Sequence, residues 1–268
     1  MSIRSIIIIA CLLPVVGWSQ FSLRTIQEIP LVKDAFRVDE LGYFTFFDQD
    51  MIEKYDTSNV LLFRQSLKST GRIENIDVSN PMKPLVFFEA QQSVLFLDNT
   101  LTPYQASQQL SSLGVSYGTE ICYSNQPDRF WVYDQDNSRL LLFKNDGRKH
   151  LETENLMGLL DIQSPVQLLE KNNLLYLVDE FHGIFIFDMY GTFVDFIDLP
   201  EVQWIQAGEN NLYFVKDKKL WSFNRKTAQF FSTDEVPVTS PYFQYSKNRF
   251  YLIQDKTIRI CEIIKSKK

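Results

Sequence analysis

The sequence has few of the residues from which metal sites are usually built. Its 268 residues include two histidines, His150 and His182, and three cysteines. Neither a His-x-x-x-His nor a Cys-x-x-Cys pattern occurs, and zinc sites depend on Cys and His ligands at such short spacings. The sequence therefore predicts no metal site and no cofactor.

The cysteines are also too few for a disulfide framework. Cys11 lies in the N-terminal segment described below, whereas Cys122 and Cys261 lie far apart in the chain. We expect Cys122 and Cys261 to be small buried side chains rather than reactive thiols or a disulfide pair.

Positive charge is scarce and scattered. Lysine and arginine number 27 against 33 aspartates and glutamates, which gives a formal net charge of −6. A nucleic-acid binder needs a clustered basic face. The one basic cluster, Lys265 to Lys268, is a chain end that we expect to be solvated. The charge pattern thus argues against a nucleic-acid partner.

Several motifs that identify enzyme classes are absent. The sequence contains no G-x-S-x-G, no P-loop and no G-x-G-x-x-G pattern. These absences favour a non-catalytic protein and leave an enzyme as the second interpretation.

The longest apolar run lies at the N-terminus. Within Met1 to Ser19, an apolar run from Ile6 to Val16 is followed by the small residues Gly17 and Ser19, which suit a cleavage site. A run of about 11 residues is too short to span a bilayer. We therefore predict that residues 1–19 are a secretory signal peptide and that no transmembrane segment remains after cleavage. Residues 20–268 are expected to form one exported domain.

A second interpretation of this segment is a lipoprotein signal. Ile8 to Cys11 resembles a lipoprotein box in which Cys11 would be lipidated. Against this interpretation, few apolar residues precede Cys11, and the apolar run continues well beyond it. Simple cleavage is the interpretation that we favour.

The rest of the chain repeats a pair of β-strands joined by a polar turn. The clearest copy is Leu174 to Leu199, where two aromatic and aliphatic runs are separated by a turn that begins at Asp179. The first strand of the pair recurs at intervals of about 40 residues. Its six copies end at Phe47, Phe88, Tyr133, Val178, Val215 and Ile253.

A period of about 40 residues with four short strands per copy indicates a β-propeller. Six copies predict an all-β, six-bladed β-propeller, whereas a β-sandwich does not explain the near-constant spacing within each pair. The sixth copy lacks an outermost strand, and the chain has a spare strand at Phe21 to Ile29. We predict that this N-terminal strand completes the last blade and closes the ring. Residues 106–114 and 152–160 are expected to depart from regular strand.

Two of the copies resemble NHL repeats. In Phe130 to Gly147 the matching residues are Asp134, Asn137, Arg139, Phe143 and Gly147. Leu174 to Gly191 matches in part, with His182 where the repeat has Asn. The resemblance implies the blade fold and says little about activity. NHL-like lyases bind metal through several channel histidines, and this chain has too few histidines for that activity to carry over.

The turns inside the strand pairs carry acidic residues, which we expect on one rim of the disc. One interpretation is turn chemistry, because Asp hydrogen-bonds the backbone that follows it. The other is an acidic rim that docks a partner protein or a cation. The candidate binding residues on this rim are Asp48, Asp134, Asp136, Asp179, His182 and Asp217.

Three polar residues on the predicted inner strands are candidates for lining the central channel. They are Glu120, Gln167 and Gln203. Calcium-dependent, lactonase-like propellers use acidic and amide ligands at such positions. Ordinary polar lining is the interpretation that we favour.

Two functional hypotheses follow. The first is an exported, non-catalytic β-propeller that acts as a protein-interaction subunit of an envelope or secretion assembly in a Gram-negative bacterium, in the periplasm or at the outer membrane. The alternative is a small-ligand-binding protein or metal-dependent propeller enzyme, lactonase-like or lyase-like, that uses the central channel. Converging acidic, amide or imidazole groups in the channel would favour the second hypothesis.

Overall fold

The computed structural model describes residues 21–233 and 238–264. The predicted signal peptide at residues 1–19 and the basic tail Lys265 to Lys268 lie outside the described residues. No helix in the described ranges has the length and hydrophobicity that a membrane crossing requires.

The described residues form 24 strands in six antiparallel, four-stranded sheets, which are the six predicted blades. Blade 1 contains β2 (Ala35–Val38), β3 (Phe44–Phe47), β4 (Met51–Tyr55) and β5 (Leu61–Ser66). Blade 2 contains β6 (Asn75–Asp77), β7 (Leu85–Phe88), β8 (Ser93–Phe96) and β9 (Gln108–Gln109). Blade 3 contains β10 (Gly118–Tyr123), β11 (Arg129–Asp134), β12 (Arg139–Lys144) and β13 (Lys149–Glu152).

The other three blades have the same order from the inner to the outer strand. Blade 4 contains β14 (Pro165–Lys171), β15 (Leu174–Asp179), β16 (Gly183–Asp188) and β17 (Phe193–Asp198). Blade 5 contains β18 (Ile205–Ala207), β19 (Asn211–Lys216), β20 (Lys219–Asn224) and β21 (Gln229–Ser232). Blade 6 contains β22 (Phe243–Ser246), β23 (Arg249–Gln254), β24 (Thr257–Ile264) and β1 (Ser22–Pro30).

The N-terminal strand closes the ring, as predicted. β1 pairs antiparallel with β24, from Ser22 opposite Ile264 to Pro30 opposite Thr257, with a bulge between Thr25 and Gln27. The last blade thereby gains the outer strand that its own segment of the chain lacks. Pairing removes the free backbone edge that β24 would otherwise expose.

The core lies between the blades. The middle strands are rich in apolar residues, and in β7 all four residues are apolar and buried. Such runs are expected where both faces of a sheet are covered. One apolar cluster joins strands of blades 2 and 3, and a second joins strands of blades 3 and 4. Cys122 and Cys261 are buried, free thiols, as the sequence predicted.

Two segments depart from regular strand, at the places where the sequence predicted it. In residues 106–114 the outer strand β9 has only two residues and leads into a short 3-10 helix, Leu110–Leu113. In residues 152–160, β13 ends at Glu152, and a loop leads to β14.

The disc has two faces, which the antiparallel strand order defines. The turns between the second and third strands of each blade lie on the same face as the connections from one blade to the next. We call this the connection face. The turns between the first and second strands, and between the third and fourth, lie on the opposite face.

Candidate functional site

Two acidic residues of the predicted rim, Asp134 and Asp179, are completely buried at the connection face. Each ends the second strand of its blade, and its carboxylate binds backbone N–H groups of the connection that enters that blade. Asp179 accepts hydrogen bonds from the N–H groups of Gln163 (2.8 Å), Ser164 (2.5 Å), Phe181 (3.1 Å) and His182 (3.0 Å). The carboxylate therefore ties the turn of its blade to the incoming connection.

Asp134 has the corresponding role in blade 3. It accepts hydrogen bonds from the N–H groups of Ser116 (3.3 Å) and Tyr117 (3.1 Å) and from the side chains of Asn137 (2.8 Å) and Arg139 (3.1 Å). Asn137 and Arg139 are the residues that carry the resemblance to NHL repeats. Their contacts show why an Asp, Asn and Arg at these spacings stabilise a blade turn.

Burial and hydrogen bonding shift the pKa values of these two carboxyls in opposite directions. Burial works to raise the pKa of Asp134 and of Asp179, because it disfavours the charged form. The hydrogen bonds that each carboxylate accepts outweigh burial and hold the pKa below its ordinary value. Both residues are thus stabilised as carboxylates.

The other rim residues differ in exposure. Asp48 accepts a hydrogen bond from the Lys33 ammonium at 2.8 Å, whereas Asp136 and Asp217 are exposed. His182 lies between two carboxylates, with Nδ1 2.9 Å from Asp179 and Nε2 3.2 Å from Asp161. A role of this rim in binding stays a prediction.

The connection face also carries exposed apolar side chains that the sequence interpretation missed. Met157 and Leu159 are 69% and 75% exposed, in the connection between blades 3 and 4, and Phe181 is 62% exposed, in the turn of blade 4. The Asp161 carboxylate lies 3.2 Å from Nε2 of His182, and this contact joins the two segments. We call Met157, Leu159 and Phe181 the apolar patch. In the sequence, Phe181 stands alone between polar residues, whereas Met157 and Leu159 belong to an apolar run, Leu156 to Leu160, in which Leu156 is buried. The sequence therefore does not show which of these side chains are exposed.

The channel wall is held together by a ring of polar side chains from the inner strands. Each of the six inner strands contributes a hydrogen bond to the next strand around the ring. The contacts are Arg37 to the Ile76 carbonyl (3.1 Å), the Tyr123 N–H to Asp77 (2.7 Å), the backbone of Leu168 to Glu120, the Ile205 N–H to Gln167 (2.7 Å), the Tyr245 N–H to Gln206 (3.2 Å) and Ser246 to the Asp39 carbonyl (3.1 Å). These bonds satisfy backbone groups on the free inner edges of the sheets.

Of the three channel candidates, two belong to this ring. Glu120 and Gln167 both line the channel. Gln203 instead donates a hydrogen bond to Glu180, 2.6 Å away, and lines neither of the two channel cavities described below. Gln203 precedes the inner strand β18, which begins at Ile205.

The channel holds two cavities that meet at Arg37. The larger, of about 470 Å³, is lined by the strand ends and turns of the opposite face, including Lys171 and Lys247. The smaller, of about 260 Å³, is lined by the strand starts on the connection face, including Asp34 and Tyr242. Four residues line both cavities: Arg37, Asn75, Trp204 and Gln244.

Arg37 and Glu120 are enclosed titratable groups of the smaller cavity. Burial lowers the pKa of Arg37 to about 10, so the guanidinium remains charged at neutral pH. Burial also raises the pKa of Glu120 to about 8, and the nearby carboxylates of Glu89 and Glu74 add to this effect. A carboxyl of this kind is largely protonated at neutral pH and can donate a hydrogen bond.

Among the residues that the structure describes, no group of three or more His, Cys, Asp or Glu side chains is arranged to hold a metal ion. Arg37 and the amides of the channel wall are ligand-binding groups of a different kind. The smaller cavity can therefore offer hydrogen bonds and the positive charge of Arg37 to a small molecule.

No protein-family model matches the chain, and no curated protein matches it in sequence. Solved structures share its fold. A streptogramin B lyase superimposes with a TM-score of 0.61 at 16% identity, covering 93% of this chain and 89% of the lyase. BamB from Moraxella catarrhalis has a TM-score of 0.55 at 9% identity, covering 92% and 99%. BBS1N in complex with ARL6DN has a TM-score of 0.59 at 14% identity, covering 88% and 78%. At these identities the similarity concerns the β-propeller fold.

Proposed function

We propose that this protein is an exported, non-catalytic β-propeller that binds a protein partner through its connection face, as a subunit of an envelope or secretion assembly. The observation that carries the proposal is the apolar patch of Met157, Leu159 and Phe181, each more than 60% exposed. Clustered apolar side chains on a soluble protein mark interaction sites more often than single exposed ones do.

The surroundings of the apolar patch suit a protein interface. Asp161 and the half-buried His182 lie beside it in contact with each other, and Asp136 is exposed on the neighbouring blade of the same face. An apolar centre with a polar and charged rim is the usual composition of such interfaces. The rim charges would then steer association, while the apolar residues supply most of the affinity.

Two further parts of the proposal rest on the sequence and the comparisons. Export is supported by residues 1–19, whose pattern is that of a signal peptide. Partner binding by this fold is supported by BBS1N, which is in complex with ARL6DN in its crystal. The contacts of Asp134 with Asn137 and Arg139 support an NHL-type blade 3.

A comparison of two matched variants tests the proposed interface. Phe181→Asp places a charge in the apolar patch, and Tyr190→Asp does the same to a similarly exposed aromatic residue, 65% exposed, on the opposite face. Each tagged full-length chain is produced in the source cells, cross-linked and purified, and its partners are quantified by mass spectrometry. We expect Phe181→Asp to lose its main partner by about tenfold or more, and Tyr190→Asp to retain it. Equal recovery with both variants, or no specific partner with the wild type, would contradict the proposal.

A further inference from the structure

The smaller channel cavity has the composition of a ligand site. Its volume of about 260 Å³ lies below the range of about 300–1,000 Å³ that is usual for drug-sized ligands, so a smaller molecule would fill it. Its wall includes the rings of Phe36, Phe47, Phe87, Trp204, Tyr242 and Phe243. Polar groups interrupt this aromatic wall at a few places, which is the arrangement that orients small ligands.

Arg37 is an enclosed cation with only neutral hydrogen-bond acceptors. Its guanidinium donates to the carbonyls of Ile76 (3.1 Å) and Phe36 (2.9 Å) and to the side chain of Asn75 (2.6 Å). It also lies over the ring of Trp204, 4.7 Å from the centroid. The Asp77 carboxylate acts on Arg37 through its charge, but in the described ranges no carboxylate accepts a hydrogen bond from the guanidinium.

Arg37 has hydrogen-bond donors that no group of the described residues uses. A guanidinium has five N–H donors, and three of them are engaged here. An enclosed charge that no carboxylate contacts directly is costly, so a ligand carboxylate that reaches Arg37 would be stabilised. The hydroxyl of Thr119, which lines the same cavity, is buried and has no hydrogen-bond partner in the described part of the chain.

The mouth of the cavity has the opposite charge. Asp34 and Glu74 line the cavity where the inner strands begin, and both are exposed. Glu120 lies in the wall. A simple anion would have to pass these carboxylates to reach Arg37. A molecule with a positive group that stays near the mouth would be attracted by them instead.

We infer that the smaller cavity binds an amino-acid-sized zwitterion. Its carboxylate would bind Arg37 at the floor, its ammonium group would lie near Glu74 and Asp34, and its apolar side chain would pack on the aromatic wall around Trp204. A ligand of this class complements both charges of the cavity. The inference does not depend on a protein partner at the connection face.

The first experiment is a thermal-shift screen of the exported full chain against the twenty common amino acids, followed by calorimetry. We expect at least one amino acid with an apolar side chain to bind with a Kd below about 1 mM. The matching carboxylate without the amine, and the matching amine without the carboxylate, should each bind more weakly by about tenfold or more. For L-phenylalanine these probes are 3-phenylpropanoate and 2-phenylethylamine.

Variants then test the assigned residues. Arg37→Met should weaken binding by about 30-fold or more. Because Arg37 also bonds Ile76, Thr119→Val is a second variant that leaves the wall intact, and it should weaken binding several-fold. Lys171→Met, in the larger cavity, is the matched control and should bind as the wild type does. Circular dichroism checks that each variant is folded.

Three results would overturn the inference. The first is that no amino acid binds with a Kd below about 1 mM. The second is that an analogue with only one of the two charges binds as tightly as the amino acid. The third is that Arg37→Met and Thr119→Val both bind the amino acid as tightly as the wild type does. Capture of the protein partner should be unaffected by Thr119→Val, so failure of this inference is distinguishable from failure of the proposed interface.

Discussion

The carboxylates in the blade turns differ in their structural roles, and their positions in the sequence do not show which role each one has. Asp134, Asp136 and Asp179 all occur in or beside such turns, yet two are buried acceptors of backbone hydrogen bonds and Asp136 is exposed. Because Asp134 and Asp179 each bind two N–H groups of the preceding connection, their burial depends on contacts between distant segments. Turn chemistry was predictable from the sequence, whereas the choice of buried residues was not.

Removing one buried carboxylate should be costly. In Asp179→Ala, four backbone N–H groups lose their acceptor, at Gln163, Ser164, Phe181 and His182. We expect the free energy of unfolding to fall by about 2–4 kcal/mol, because buried donors without partners are expensive. Urea unfolding at pH 7 measures this difference. The exposed Asp136→Ala is the control, with an expected change within about 0.5 kcal/mol; equal effects of the two variants would refute the assigned role.

Glu120 should make stability depend on pH around neutrality. Its pKa is raised from 4.5 to about 8 in the folded protein. Between these values the folded state holds a proton that the unfolded state has lost, so the free energy of unfolding decreases as pH rises. Arg37, Glu74 and Glu89 are the charged groups that act on Glu120. The side chain of Glu120→Gln is neutral at every pH, so this substitution should remove the contribution of residue 120 to the pH dependence of the free energy of unfolding.

Urea unfolding of the wild type and of Glu120→Gln at pH 5, 7 and 9 measures the effect. We expect the two proteins to differ least at pH 5, and the variant to be more stable by at least about 1 kcal/mol at pH 9. Parallel stability curves would show that the Glu120 carboxyl is better hydrated than its place in the channel wall indicates.

At the scale of the strand, the closure of the ring was the feature of the fold that was easiest to predict from the sequence. The strand before blade 1 that belongs to no strand pair is visible in the sequence, and β1 pairs with β24 in blade 6. The hydrogen-bond ring of the inner strands was less predictable. Its members include Arg37, Asp77 and Ser246, which share no residue type and no spacing pattern.

The β1–β24 pairing can be locked by one substitution. Thr25 lies directly opposite Cys261, and its hydroxyl is 3.7 Å from the Cys261 sulfur. Thr25→Cys should therefore form a disulfide, because facing residues of paired strands have a suitable separation. The bond would close a loop of most of the chain, and we expect stabilisation of about 2–4 kcal/mol that is lost on reduction.

Thiol titration and gel mobility without reductant measure the bond, and thermal melting with and without reductant measures its effect. Thr25→Ser is the control, because it keeps a hydroxyl and cannot form the bond. Free thiols at both positions under oxidising conditions would contradict the register of β1 with β24. Cys122 is buried in another blade and should stay a free thiol in both variants.

At the scale of the whole molecule, the fold was predictable and the site was not, for one physical reason. The blades repeat a local pattern that every copy of the sequence shows, whereas the cavity and the apolar patch depend on how different blades meet. Arg37 and Glu120 come from blades 1 and 3 and line the same cavity. Met157 and Phe181 come from a connection and a turn that meet where Asp161 contacts His182.

Contacts between blades should also make the ring unfold as one unit. The indole N–H of Trp131 in blade 3 donates to the Glu170 carboxylate in blade 4 at 2.6 Å, and both side chains are buried. Trp131→Phe keeps an aromatic ring but leaves the buried Glu170 carboxyl group without this donor, so the free energy of unfolding should fall by about 2 kcal/mol. The exposed Tyr190→Phe is the control and should leave the free energy of unfolding unchanged.

Because each blade covers its neighbours, the Trp131→Phe variant should unfold in one transition. Far-UV circular dichroism and tryptophan fluorescence should therefore give the same unfolding midpoint, lower than that of the wild type. Two separate transitions would mean that blades 3 and 4 unfold independently of the ring and that the inter-blade contact does not couple them.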